Sequence, residues 1–304
     1  MAALQVSVII CSYNRATYIP LALKSLTEQT VDANIFETII VDNNSTDNTA
    51  EVCAAFIASH PSYSITYLTE QQQGSSFARN TGAAMATGNW LCFMDDDAVA
   101  HKNYIEKIIH FFKNHPQANA MGGRIIPRYI PEKPTWISKH VASLMGDFEY
   151  SNEVVEFAAE RYPLESNMIV DKKDFDAIKG FSTEIPGVKG TLRIGGEGKD
   201  FFLRLKATGK TVYYCPDVIV EHIIEVVKLT PEYLYRVGSG VGRGERVRVL
   251  QKSKLTYYKK VLEYFYKLVG SIILGCSYAI KGNPSQFWPV IQYRIDALKG
   301  LLNR

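Results

Sequence analysis

Trp90-Leu91-Cys92-Phe93-Met94-Asp95-Asp96-Asp97 is the stretch that decides how this chain folds. A run of strand length, apolar without alternation, drives straight into three carboxylates. Such a run is buried on both faces, which is the habit of parallel sheets covered by helices. Working outward, strand and helix patterns alternate before it. Val6 to Cys11 is a β-branched run, and Thr17 to Gln29 carries Ile19, Leu23 and Leu26 at helical spacing. Phe36 to Val41 predicts a second strand, ending in Asp42-Asn43-Asn44-Ser45-Thr46-Asp47, and Thr49 to Ser59 a helix. Ser64 to Leu68 reads as a third strand and Ser76 to Ala86 as a helix closed by Gly88. This order predicts an α/β fold: a doubly wound, mostly parallel sheet flanked by helices, with right-handed crossovers. Ligands of such sheets bind outside the carboxyl ends of the strands. Three polar clusters fall there.

Beyond the acidic run the pattern loosens. Tyr104 to Asn114 predicts a helix, and Ile125 to Trp136, with Pro127, Pro131 and Pro134, a loop or edge segment. Gly187, Gly190, Gly195, Gly196 and Gly198 predict a mobile loop over residues 187–198. A helix from about Lys199 to Thr208 and a strand from Thr211 to Cys215 follow, and from Thr230 onward the chain reads as helical. The expected division is a domain over residues 1–225 and a helical C-terminal extension over 226–304.

Composition bounds the function. Hydrophobic residues make up 46% and charged residues 21% of the 304, enough for a real core and against disorder or a polytopic membrane protein. A net charge of +3 gives no reason to expect a nucleic-acid partner. The five cysteines lack any C-x-x-C spacing, so reduced thiols are expected rather than a zinc or redox site. Val6 to Ile10 is too short for a signal-peptide core, and a cytosolic location is the expectation.

From Lys228 onward basic residues far outnumber acidic ones. Arg236, Arg243, Arg246, Arg248, Lys252, Lys254, Lys259 and Lys260 are interleaved with Tyr257 and Tyr258. Val261 to Ile280 is apolar and aromatic but interrupted by Glu263 and Lys267, and Leu268 to Ile280 is too short to span a bilayer. Two readings stay open: a helix lying on an anionic membrane face, or a flap over a cleft or subunit interface.

Three adjacent carboxylates at a strand end repel one another. Either a divalent cation with oxygen ligands, Mg2+ or Mn2+, relieves that cost, or the run caps the next helix. Four motifs bear on the choice. Ser7-Val8-Ile9-Ile10-Cys11-Ser12-Tyr13-Asn14-Arg15, Ile39-Ile40-Val41-Asp42-Asn43-Asn44-Ser45-Thr46-Asp47, Ala78-Arg79-Asn80-Thr81-Gly82 and Phe93-Met94-Asp95-Asp96-Asp97 resemble the family 2 glycosyltransferases, in that family's order and spacing. The resemblance runs from about Val6 to His222. It implies a GT-A fold, a nucleotide-diphosphate sugar donor with UDP favoured, Mn2+ or Mg2+ as cofactor, and inversion at the anomeric carbon.

Carried over by residue, it places Ser12 and Tyr13 in the nucleoside pocket, with Arg15 of the same motif on the donor side. Asp42 would accept from the base edge, and Arg79 would face the diphosphate. Asp95 and Asp96 belong to the donor site, Asp97 is the principal metal ligand, and Asp95 and His222 assist it. Asn167 in Glu165-Ser166-Asn167-Met168-Ile169-Val170 would contact the donor sugar. The sequence departs from the family at the base, where Gly198 stands at the usual carboxylate position, leaving Glu197 or Asp200 for that role. The acceptor expected is a saccharide or lipid-linked molecule, in polysaccharide or glycolipid synthesis at the cytoplasmic membrane face; the basic tail, read as a membrane-lying helix, fits a lipid-linked one. Oligomerisation is open. The rivals are a catalytically silent membrane-associated scaffold and a nucleotidyltransferase, the latter disfavoured because no Gly-rich loop follows the first strand.

Overall fold

A computed structural model describes residues 5–189 and 192–303. The chain divides into two compact units. The first takes the chain up to Ile126, then Phe148–Ser182 and Gly198–Ile223; the second takes Pro127–Asp147, Thr183–Glu197 and everything from Ile224. The second unit therefore borrows two segments from upstream of the single cut expected near residue 225.

In the first unit, β1 (Val6–Ser12), β2 (Phe36–Asp42), β3 (Ile65–Thr69) and β4 (Trp90–Asp95) alternate with helices α1 (Ile19–Thr27), α2 (Thr49–Ser59) and α3 (Ser75–Met85). All seven residues of β2 are buried, as a central parallel strand requires. Helix α1 starts where Pro20 can sit in a first turn, and it buries Ile19, Leu23 and Leu26, the predicted spacing. Then come β5 (Ala98–Ala100), α4 (Tyr104–Asn114) and β6 (Ala120–Tyr129), which begins in the first unit. The short α5 (Lys139–Ala142) lies in the second unit. β7 (Val155–Glu156), β8 (Asn167–Asp171) and α6 (Lys172–Ala177) follow.

Counted over the described residues, the main sheet has nine strands, ordered β3-β2-β1-β4-β8-β6-β11-β5 with β7 on β11, where β11 is Val212–Ile224. β3, β2, β1 and β4 are parallel, and β8 then runs antiparallel to both β4 and β6. The mostly parallel sheet with flanking helices is as expected. Its antiparallel half was less visible. Gly122, Gly123 and Pro127 hide β6, so Ile125–Tyr129, predicted as loop or edge segment, is the end of a ten-residue strand. Pro216 similarly hides the length of β11, of which only the first residues were predicted.

In the second unit, β9 (Gly187–Lys189) and β10 (Leu192–Ile194) pair antiparallel, so the expected mobile loop is in part a hairpin; Gly190 lies outside the described residues. Helix α7 (Glu197–Ala207) leads back into the first unit. Helices α8 (Pro231–Lys252), α9 (Lys254–Ile280) and α10 (Phe287–Leu302) follow, and Ser253 separates α8 from α9 by capping the latter through the Thr256 amide. Helix α8 carries glycines on two faces. A side chain at Gly242 would meet the α10 backbone at Ala297 and Leu301, and one at Gly240 would meet Arg193 of the hairpin. Bare backbone is what lets α8 lie this close to both.

Candidate functional site

Strand register builds the site. Ser12 pairs with Asp42 across β1 and β2, and Cys11 with Asp95 across β1 and β4, so the three polar clusters end at one level on the sheet's carboxyl edge. On the far side β11 runs antiparallel to β5 with His222 opposite Ala98, and the Ile223 amide donates to the Asp97 carbonyl at 2.9 Å. That pairing carries a histidine 125 positions away in sequence to the acidic run.

The result is a convergent donor set. Asp95, Asp97 and His222 each offer one ligand atom, and these atoms lie within 4.8 Å of one another. His222 Nε2 stands 3.0 Å from an Asp97 oxygen. Two carboxylate oxygens and an imidazole nitrogen suit Mn2+ or Mg2+. Around them Arg15 lies 3.9 Å from Asp96 and 3.8 Å from Asp97, and Arg79 lies 3.9 Å from Asp95. Burial and the neighbouring Asp97 push the Asp96 carboxyl up to about 8, with Arg15 opposing. The Ser12 hydroxyl beside it is buried and makes no hydrogen bond that meets ordinary geometry. The helix-cap alternative fails for Asp97: the residues that follow form β5, and the next helix begins only at Tyr104.

Other motif residues divide by what they touch. Asn14, in the left-handed region at φ 55°, accepts from the Thr46 amide at 2.7 Å and so ties the β1 loop to the β2 loop. Tyr13, half-buried, lies on that loop. Asp42 is buried and accepts from the Ser45 amide at 3.0 Å and the Tyr67 hydroxyl at 2.6 Å. A carboxylate has about four lone-pair sites, so those two bonds leave it capacity for another donor. Arg79 is buried in α3, with its guanidinium 5.3 Å from the Phe181 ring centre. The rest of its motif is architectural. Asn80 exchanges two bonds with the Phe181 backbone, both 2.9 Å, and a side chain at Gly82 would meet Ile9 and Val41.

Asn167, expected to contact the donor sugar, has its amide engaged within the protein. It is fully buried, and its amide is committed to the carbonyls of Arg124 and Val218 and the hydroxyl of Tyr104, at 2.9, 2.9 and 2.8 Å. It ties strands together rather than presenting its amide to a sugar. Asp200 is likewise engaged. It pairs at 2.7 Å with Arg204, whose other nitrogens bind the carbonyls of Ile178 and Gly180. Its place, four residues into α7, makes it part of a staple. Glu197 is buried at the first residue of α7, within the second unit.

Sequence reasoning missed Glu165. The Gly198 amide donates to Glu165 Oε1 at 2.7 Å, and a side chain at Gly198 would run into that same carboxylate. Glu165 therefore fills the space that glycine leaves. Only the coincidence of a missing carboxylate at 198 and a glutamate inside a quoted motif could have signalled this.

Comparisons agree with the geometry. The model of Glycosyl transferase family 2 matches residues 7–178, more than half of the chain. A glucosyl-dolichyl phosphate glucuronosyltransferase of Haloferax volcanii is 26% identical over 231 residues, 72% of this chain and 69% of that protein. A glycosyltransferase of Haemophilus influenzae is 30% identical over 209 residues, covering 66% of this chain and 61% of that one. Among solved structures, a mannosyltransferase from Pyrobaculum calidifontis in complex with GDP-mannose and Mn2+ superposes with TM-score 0.67 at 18% identity, over 99% of this chain and 88% of that one. The TarS 1–349 fragment of S. aureus in complex with UDP-GlcNAc gives 0.55 at 16%, over 81% and 71%. At such identities the likeness is one of fold, the GT-A fold. Strand-end chemistry, fold and family match converge, and this chain is a family 2 glycosyltransferase.

Proposed function

We propose that the enzyme transfers a sugar from a nucleotide-diphosphate donor to an acceptor hydroxyl with inversion, in glycan or glycolipid synthesis at a membrane surface. The convergence of Asp95, Asp97 and His222 at the carboxyl edge carries the reading. A divalent cation bound there would neutralise charge on the leaving diphosphate. Arg79 and Arg15 add fixed positive charge on the same edge. Ser12, Tyr13 and the spare acceptor capacity of Asp42 serve the nucleoside.

In the transfer, the acceptor oxygen forms a bond to the anomeric carbon as the bond from that carbon to the diphosphate oxygen breaks. The acceptor's proton passes to a carboxylate, and the nucleoside diphosphate departs. Glu165 is the carboxylate we assign to that proton, because it occupies the place left at Gly198 while Asp200 is held by Arg204. The acceptor proposed is a saccharide carried on a lipid. Supporting that is an apolar cavity of about 720 Å³ in the second unit, walled by Trp136, Tyr235, Trp288 and Tyr293.

The test is release of nucleoside diphosphate from UDP-glucose, UDP-GlcNAc and GDP-mannose with Mn2+. Glu165→Gln should lower turnover on the accepted donor about 100-fold, within the range of a lost general base, with donor KM unchanged and Glu165→Asp partly active. Full activity in Glu165→Gln contradicts the base assignment; inertness of the wild type towards every donor contradicts the reading as a whole.

A further inference from the structure

Helix α9 turns an apolar stripe outward. Leu255, Tyr258, Leu262, Phe265, Val269 and Ile273 recur at three- and four-residue steps, and all are exposed. Tyr266 and Ile280, 80% and 86% exposed, widen and lengthen the row. At about 100° per residue these side chains share roughly a third of the helix circumference. The helix has 27 residues, so the stripe runs for about 40 Å at the usual rise. Soluble monomers rarely leave so much contiguous apolar surface in water.

The charges of α9 keep off the stripe. Glu263 bonds Lys260 and Lys267, both at 2.5 Å, and that triad lies on another face. Lys254 and Lys259 border the stripe at its start, and Lys281 follows its end. No helix among the described residues is long and apolar enough to cross a membrane. Three of the α8 cations on which a membrane reading first rested are engaged inside the second unit. Arg243 bonds the Arg193 carbonyl, Arg246 bonds Tyr257 and the Leu301 carbonyl, and Arg248 pairs with Glu245.

We infer that the α9 stripe is the surface by which this protein lies on an anionic lipid bilayer. The helix would rest in the plane of the headgroups, with its apolar side chains below them and the bordering lysines among the lipid phosphates. A second copy is the other conceivable cover, and charge argues against it. Paired in parallel, Lys254 and Lys259 meet their own counterparts; paired antiparallel, Lys254 meets Lys281. Vesicle binding is read without donor or acceptor, so this inference stands apart from the transfer reaction.

The experiment sediments the full chain with vesicles of phosphatidylcholine alone and of phosphatidylcholine with phosphatidylglycerol. The wild type should favour the anionic vesicles. The pair Leu262→Glu with Val269→Glu should weaken that binding by about tenfold or more and keep the wild-type melting temperature, because both side chains are at the surface. Lys254→Glu with Lys259→Glu should lose the preference for anionic lipid. Equal binding by the Glu pair and the wild type overturns the inference. So does a wild type that ignores vesicles and is a dimer in solution, made monomeric by the Glu pair.

Discussion

The carboxyl edge of the sheet gathers like charges, whereas the C-terminal helices pair opposite ones. At the sheet edge, Asp96 and Asp97 are buried beside each other, with His222 3.0 Å from Asp97 and Arg15 almost 4 Å from both. In the helices, arginines and glutamates pair closely, as Arg248 does with Glu245, while apolar side chains of α9 face out. Carboxylates gathered and buried side by side mark a candidate ligand site. Closely paired charge marks architecture. The same residue types therefore mean different things, and their partners tell which.

That contrast can be broken by substitution. The largest effect is expected at Gly242, where an added methyl would collide with the α10 backbone. Gly242→Ala should cost about 3 kcal/mol or more by urea unfolding, and a neutral result would mean that α8 and α10 do not pack this closely. Next comes Asn167→Ala, which strips a partner from Tyr104 and from two carbonyls. It should cost about 2–3 kcal/mol and leave nucleotide affinity within about twofold once refolded fractions are matched. A large selective loss of affinity would return Asn167 to the donor site. Gly270 faces open space in mid-helix, so Gly270→Ala should gain about 0.5–1 kcal/mol.

The smallest effect is pH-linked. Partial burial opposes ionisation of Glu263, but hydrogen bonds from Lys260 and Lys267 outweigh it and hold the carboxyl down at about 2. A depressed folded-state value contributes stability above the unfolded value of 4.5, lost as pH falls from there towards 2. Because the pair is half-exposed, screening keeps the contribution under about 1 kcal/mol. The melting gap between wild type and Glu263→Gln should close over that acid range; a constant gap would assign the effect to packing.

Much of this was readable from the chain. Apart from the three-residue β5, which was not predicted, the β1-to-α4 stretch was legible to within a residue or two, because buried parallel strands are unbroken apolar runs and the helices keep their period. The gathering of Asp95, Asp97 and His222 was foreseen only through motif resemblance, since nothing local links His222 to Asp97; an antiparallel pairing with β5 does that. Strands β6 and β11 were obscured by glycine and proline inside them. At Gly123 the reason is physical: a side chain there would meet Val218 and Asn167. The partners of Asn167 and Asp200 were not legible, because a sequence lists polar residues without saying which groups have already claimed them.

The central claim is that Asp95, Asp97 and His222 hold a divalent cation that binds a nucleotide diphosphate. Thermal unfolding with UDP or GDP, with and without Mn2+, tests it most directly. The wild type should be stabilised by nucleotide only when Mn2+ is present, by about 2.7 kcal/mol at a hundredfold excess over Kd, and Asp97→Ala should abolish the gain. A gain of the same size without metal, or one that survives Asp97→Ala, would contradict the account.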